Sequence, residues 1–166
     1  MTFTDLDSGM FTQHITRSRT IDVGPRSATV AGETGALTDL VTHLTASGQR
    51  ARVIPASIPS HCAFIEPLRA RLTAALSGID PQVSRLPMYS TTTGGPVTGP
   101  ELTPAYWYHN ARKPVLFEPV IRRLLTEGDR VFVESSAHPV LTHAVNDTAK
   151  RAGVTATVTG TLRRGL

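Results

Sequence analysis

The chain has 166 residues, 40% hydrophobic and 18% charged, with 17 Lys and Arg against 13 Asp and Glu for a net charge of +4. That length suits one ordinary domain, and the composition excludes a disordered chain or a membrane protein. The single cysteine, Cys62, excludes an internal disulfide and a cysteine-based zinc site, and it fits a reducing compartment.

Residues 1–19 carry no clear periodicity and read as an irregular start. Thr20–Val23 and Ser27–Ala31 read as strands around a Gly24-Pro25 turn. Thr34 is placed to cap a helix running to Ala46, with Leu37, Leu40, Val41 and Leu44 on one face and Gly48 behind it. Arg52–Ala56 reads as a further strand. The expected organisation is therefore an irregular segment at 1–19 and a partial β-β-α-β unit at 20–57. That unit is an incomplete form of the β-α-β-β-α-β ferredoxin-like motif.

The rest, 58–166, alternates helix and strand, which predicts an α/β fold. Ala63–Leu76 reads as a helix and Met88–Thr92 as a short strand. The Gly- and Pro-rich 94–100 stretch reads as an irregular loop. Pro104–Arg112, Phe117–Glu127 and Val140–Ala152 read as helices, and Arg130–Glu134 and Thr155–Leu162 as strands. The N-terminus has no basic-then-apolar leader, and no run of ~18 apolar residues exists, so the expected compartment is the cytoplasm. The basic residues are scattered, the densest groups being Arg50/Arg52, Arg69/Arg71, Arg122/Arg123 and Arg163/Arg164, without a stripe of interleaved aromatics. Neither nucleic acid nor membrane is expected as a partner.

The candidate chemistry centres on His61, in Ser57-Ile58-Pro59-Ser60-His61-Cys62-Ala63. It sits just after a strand and just before a helix, with Pro59 restricting the backbone ahead of it. A histidine on such rigid supports suits a general base; the plainer reading is a loop residue at a helix start. His138, His143 and Asp147 invite a metal reading, but the five-residue spacing of His138 and His143 puts them off a single helical face. Cys62 next to His61 points away from it and is expected to be buried and inert. Tyr106-Trp107-Tyr108 is expected to pack in the core.

The His61 segment resembles the catalytic-histidine segment of malonyl-CoA:acyl carrier protein transacylases. Five further blocks resemble acyltransferase domains of modular type I polyketide synthases, in the same order. They are Gly24-Pro25-Arg26-Ser27-Ala28-Thr29-Val30-Ala31-Gly32-Glu33, Met88-Tyr89-Ser90-Thr91-Thr92-Thr93-Gly94-Gly95, Tyr106-Trp107-Tyr108-His109-Asn110-Ala111-Arg112-Lys113-Pro114-Val115-Leu116-Phe117, Val131-Phe132-Val133-Glu134-Ser135-Ser136-Ala137-His138-Pro139-Val140-Leu141 and Gly160-Thr161-Leu162-Arg163-Arg164. The resemblance implies a ping-pong transfer of malonyl or an alkylmalonyl group. The group passes from coenzyme A to a serine, then to the phosphopantetheine thiol of an acyl carrier protein. His61 matches the family's base, and alignment of the Pro-Val block assigns the orienting main-chain carbonyl to Asn110. Ile58, Pro59 and Ser60 match the acyl-specificity motif that ends in the base. This tetrapeptide is closest to the fatty-acid type, which handles malonyl. No bound cofactor is implied.

The resemblance also sets a departure. None of the 13 glycines brackets a serine in a Gly-x-Ser-x-Gly pattern. The family's serine and its carboxylate-binding arginine both match positions upstream of this chain. The chain thus reads as the C-terminal part of an acyltransferase, the 58–166 region corresponding to the α/β-hydrolase-like large subdomain. It is expected to be inactive alone and to rely on a separately encoded N-terminal half or on other synthase domains. The competing reading is a non-catalytic remnant that docks a carrier protein or synthase.

Overall fold

The computed structural model describes residues 2–4, 19–24, 27–54 and 60–165. The architecture is α/β. Strands β1 (Thr2–Thr4), β2 (Arg19–Gly24), β3 (Ser27–Ala31) and β4 (Ala51–Arg52) form one sheet in the order β2-β3-β1-β4. Strand β1 pairs antiparallel with β3 and with β4, and β2 pairs antiparallel with β3. The segment expected to be irregular at 1–19 therefore contains a central strand. Three residues show no periodicity of their own, and β1 is defined by partners about 25 and 50 residues away.

Helix α1 (Thr34–Ala46) follows the expected span, but Glu33 stands at the N-cap and Thr34 is the first helical residue. Its inner face joins Leu37, Leu40 and Val41 to buried Leu44 and to Val30 of β3. The expected strand Arg52–Ala56 is described only as Ala51–Arg52; residues 55–59 lie outside the described residues.

The helix expected over Ala63–Leu76 is two pieces, a 3₁₀ turn at Ala63–Leu68 and α2 (Arg69–Ala75). Pro67 causes the break, because it lacks the N–H that a continuous α-helix needs at that position. Strands β5 (Met88–Ser90) and β6 (Gly95–Val97) make an antiparallel hairpin. The 94–100 stretch is thus not wholly irregular. Gly99, at φ 117°, is required beside it: a Cβ there would fall 2.0 Å from the carbonyl oxygen of Gln82.

Helices α3 (Pro104–Arg112) and α4 (Phe117–Glu127) occupy their expected spans. Thr103 caps α3 by accepting the Tyr106 N–H, and Pro104 takes the first turn, where its missing donor costs nothing. Gly128 ends α4 in a left-handed conformation at φ 112°. Strands β7 (Val131–Glu134) and β8 (Thr157–Gly160) pair in parallel, joined through α5 (Thr142–Arg151). Ile121 and Leu125 of α4 meet Val145 and Ala149 of α5 in the main core, with Phe132 and Val158 packed against it.

The Glu134 carboxylate closes the N-terminal end of α5. It accepts the N–H groups of Val140 at 2.9 Å, Leu141 at 2.8 Å and Thr142 at 3.1 Å, and the Ser136 hydroxyl at 3.0 Å. Burial pushes its pKa up, but those bonds to the ionised form outweigh burial and hold it below the ordinary carboxylate value.

Candidate active site

His61 is the one non-glycine residue in the left-handed region among the described residues, at φ 59°. Two carbonyls at the end of α3 hold it there. Its backbone N–H donates to Ala111 at 2.7 Å. Its ring Nδ1 lies 2.9 Å from the Lys113 carbonyl oxygen. A carbonyl only accepts, so Nδ1 carries the proton in this bond. In the neutral ring the lone pair is then on Nε2, the form a general base needs.

The acceptor is therefore Lys113 and not Asn110. Helix α3 ends at Arg112, and Lys113 leaves it in an extended conformation at φ −81°, ψ 158°. Pro114 enforces that exit, since the residue before a proline is pushed out of the helical region. The Lys113 carbonyl is thus turned off the helix axis, whereas Asn110 lies a turn inside it. Asn110 has a different use: its Nδ2 donates to Thr92 Oγ1 at 2.8 Å, tying α3 to the β5–β6 turn. The pre-proline position of Lys113 is the sequence signal for this acceptor.

Ser60 is half-buried beside His61, and Ile58 and Pro59 lie outside the described residues. Cys62 is fully buried at 0% exposure, as its alternation with His61 predicts. Beyond it, Glu66 of the 3₁₀ turn pairs with Arg112, which donates from Nε at 3.0 Å and from Nη2.

The aromatic run is divided. Tyr108 is buried under the Arg69 guanidinium, which lies 5.2 Å from the ring centre. Trp107 stays 37% exposed, edge-on to Tyr106, because three consecutive helical residues cannot share one face. The Tyr106 hydroxyl meets the buried Ser90 hydroxyl at 2.7 Å, and that Ser90 oxygen also accepts the Thr92 N–H. His109 is held below the ordinary imidazole pKa, first by burial and then by the charges of Lys113 and Arg69. His138 accepts the Arg164 backbone N–H through Nδ1 at 3.4 Å, and His143 lies 3.4 Å from Asp147. No group of three or more His, Cys, Asp or Glu gathers as metal ligands among the described residues. No helix among them is long and apolar enough to cross a membrane.

Residues 16–166 match the acyl transferase domain family. The chain is 43% identical over 130 residues to the spectinabilin polyketide synthase system protein NorA of Streptomyces orinoci, covering 78% of this chain and 7% of NorA. It is 44% identical over 145 residues to the erythronolide synthase EryA3 of Saccharopolyspora erythraea, covering 85% of this chain and 5% of EryA3. Among solved structures, the acyltransferase domain from module 8 of the salinomycin polyketide synthase superposes with a TM-score of 0.93 at 40% identity. That match covers 98% of this chain and 40% of the other. An acyl carrier protein S-malonyltransferase from Vibrio cholerae shares the fold at a TM-score of 0.84 and 18% identity. The chain thus spans less than a tenth of these curated relatives and well under half of the salinomycin structure. The chain belongs to the acyl transferase domain family, among the acyltransferase domains of modular polyketide synthases.

Proposed function

We propose that this chain supplies the general-base part of a Ser–His acyl transfer in polyketide assembly. The observation that carries the reading is the Nδ1–H bond of His61 to the Lys113 carbonyl, which leaves Nε2 as the base. The serine comes from the portion of the domain that precedes this chain's motif blocks in its longer relatives. Nε2 takes the serine proton as the hydroxyl oxygen attacks the thioester carbonyl of malonyl-coenzyme A. The imidazolium then returns the proton to the departing thiolate, leaving an acyl-serine ester. In the second half, Nε2 takes the proton of the carrier's phosphopantetheine thiol, and the sulfur attacks the ester. The proton goes back to the serine oxygen.

The β2-β3-β1-β4 order, with α1 between β3 and β4, supports a ferredoxin-like small subdomain. The β7–β8 pair supports a larger α/β-hydrolase-like part. Parallel strands are ordinarily covered on both faces, yet Val131 and Val133 are 67% and 59% exposed. In this reading the serine-bearing portion is what covers that face. The Ile58-Pro59-Ser60 stretch favours malonyl as the transferred group, and the acyl carrier protein is the acceptor partner.

The purified chain is incubated with malonyl-coenzyme A and its intact mass recorded. The expected result is no covalent malonyl adduct; a malonyl mass shift on a serine overturns the division of labour. Co-expression with the serine-bearing portion of a related acyltransferase is expected to restore carrier acylation. His61→Ala is expected to abolish that gain, and acylation that survives it refutes the assignment of the base.

A further inference from the structure

Three consecutive residues at the end of α3 hold the segment that begins at His61. The Ala111 carbonyl accepts the His61 N–H at 2.7 Å. The Lys113 carbonyl accepts the His61 ring at 2.9 Å. Between them, Arg112 reaches Glu66 in the following 3₁₀ turn, donating from both Nε and Nη2 to one carboxylate oxygen. The Arg112 side chain is only 14% exposed, while that of Glu66 is 56% exposed. The pair thus anchors a mostly buried guanidinium, not two solvated side chains.

We propose that the Glu66–Arg112 ion pair is a positioning pair that keeps His61 in its Nδ1–H form. The inference rests on the reading of His61 as the base. Its physical content is leverage. A residue at φ 59° does not hold a left-handed backbone without surrounding constraint. Two carbonyls fix the His61 side of that bend, and the ion pair fixes the other side, five residues on. If the 3₁₀ turn drifts from the end of α3, the imidazole loses its acceptor. The ring then reverts to the mixture of tautomers a solvated imidazole adopts. The rival account is that Arg112 only places positive charge at a helix C-terminus, which stabilises the helix and leaves the ring unaffected.

The experiment reads the ring itself. The full chain is labelled with ¹⁵N-histidine, and the ring nitrogen shifts are recorded above the imidazole titration range. His61→Gln assigns the His61 signals among the six histidines. The parent chain is expected to show His61 with the proton on Nδ1. Glu66→Gln and Arg112→Lys are both expected to lower the Nδ1–H to Nε2–H ratio at least about threefold. The charge-swapped pair Glu66→Arg with Arg112→Glu is expected to recover most of it. Glu118→Gln, which breaks the separate Glu118–Arg122 pair on α4, serves as the stability control and is expected to leave the ratio unchanged. Loss of melting temperature without a change of ratio in both single variants overturns the proposal, as does a parent chain with the proton on Nε2. A single variant that fails to fold is replaced by the conservative one at the other partner, and the same ratio decides. This outcome is separate from the reading of His61 as base, which stands or falls on carrier acylation.

Discussion

Two helix ends in this chain solve the same problem in opposite ways. Every helix leaves unpaired carbonyls at its C-terminus and unpaired N–H groups at its N-terminus. At the start of α5, those N–H groups meet the Glu134 carboxylate, which the Ser136 hydroxyl also engages. At the end of α3, the carbonyls of Ala111 and Lys113 meet His61, which keeps one ring nitrogen unengaged by them. A fully engaged acceptor is a structural cap. A partner held at one ring nitrogen, on a left-handed backbone, suits the base role proposed for it. The difference is readable from which atoms are used, not from residue type.

The comparison breaks hardest at His61. His61→Ala, in the chain completed by its serine-bearing portion, is expected to cut carrier acylation at least about a thousandfold. The melting temperature is expected to change little, because only the ring's bond to the Lys113 carbonyl is lost, while the backbone N–H bond to Ala111 remains. At the other helix end the expectation reverses. Glu134→Ala is expected to destabilise the fold by about 2–3 kcal/mol in denaturant titration, since the N–H groups of Val140, Leu141 and Thr142, leading into α5, lose their acceptor. A loss under about 0.5 kcal/mol there would show that water replaces the cap without cost.

Asn110 sharpens the contrast between backbone and side chain. Asn110→Ala removes the bond to Thr92 Oγ1 and is expected to cost about 1 kcal/mol in a thermal melt. Acylation by the completed domain is expected to stay within about threefold, because the orienting carbonyl is that of Lys113. A large selective loss of activity would return the role to Asn110. The smallest effect is one of pH. The folded-state pKa of Glu134 lies below its ordinary value. Its contribution is therefore fully present above the ordinary carboxylate range and is lost as pH falls through the lowered value. Glu134→Gln is expected to flatten that part of the stability–pH curve, measured by urea unfolding between about pH 3 and 6.

What the sequence made legible was local. The spans of α3 and α4 follow from Thr103-Pro104 at one start, Lys113-Pro114 at one stop, Gly128 at the other, and 3.6-residue spacing between. Strand β3 matched its expected span for the same reason, a short run bounded by turn residues. What escaped was set by distant partners. Strand β1 is three residues long and exists through β3 and β4. The β5–β6 hairpin turns a Gly-Pro stretch into strand by pairing Tyr89 with Pro96. His61 was visible through its motif, but its acceptor was a backbone atom, and backbone oxygens look alike in a sequence. Only the proline after Lys113 marks that one as turned outward.

The bond from His61 to Lys113 also spans 52 residues of chain. The placement of the ring proton is therefore not a property of the segment that carries the histidine. In the unfolding of such a molecule, contacts that join distant segments near a surface open before the helices that supply them. The ring is then expected to lose its tautomeric preference while α3 and α4 are still wound. Heat would silence the chemistry some degrees below the loss of helical signal, and the imidazole would serve as a thermometer of local opening rather than of global collapse.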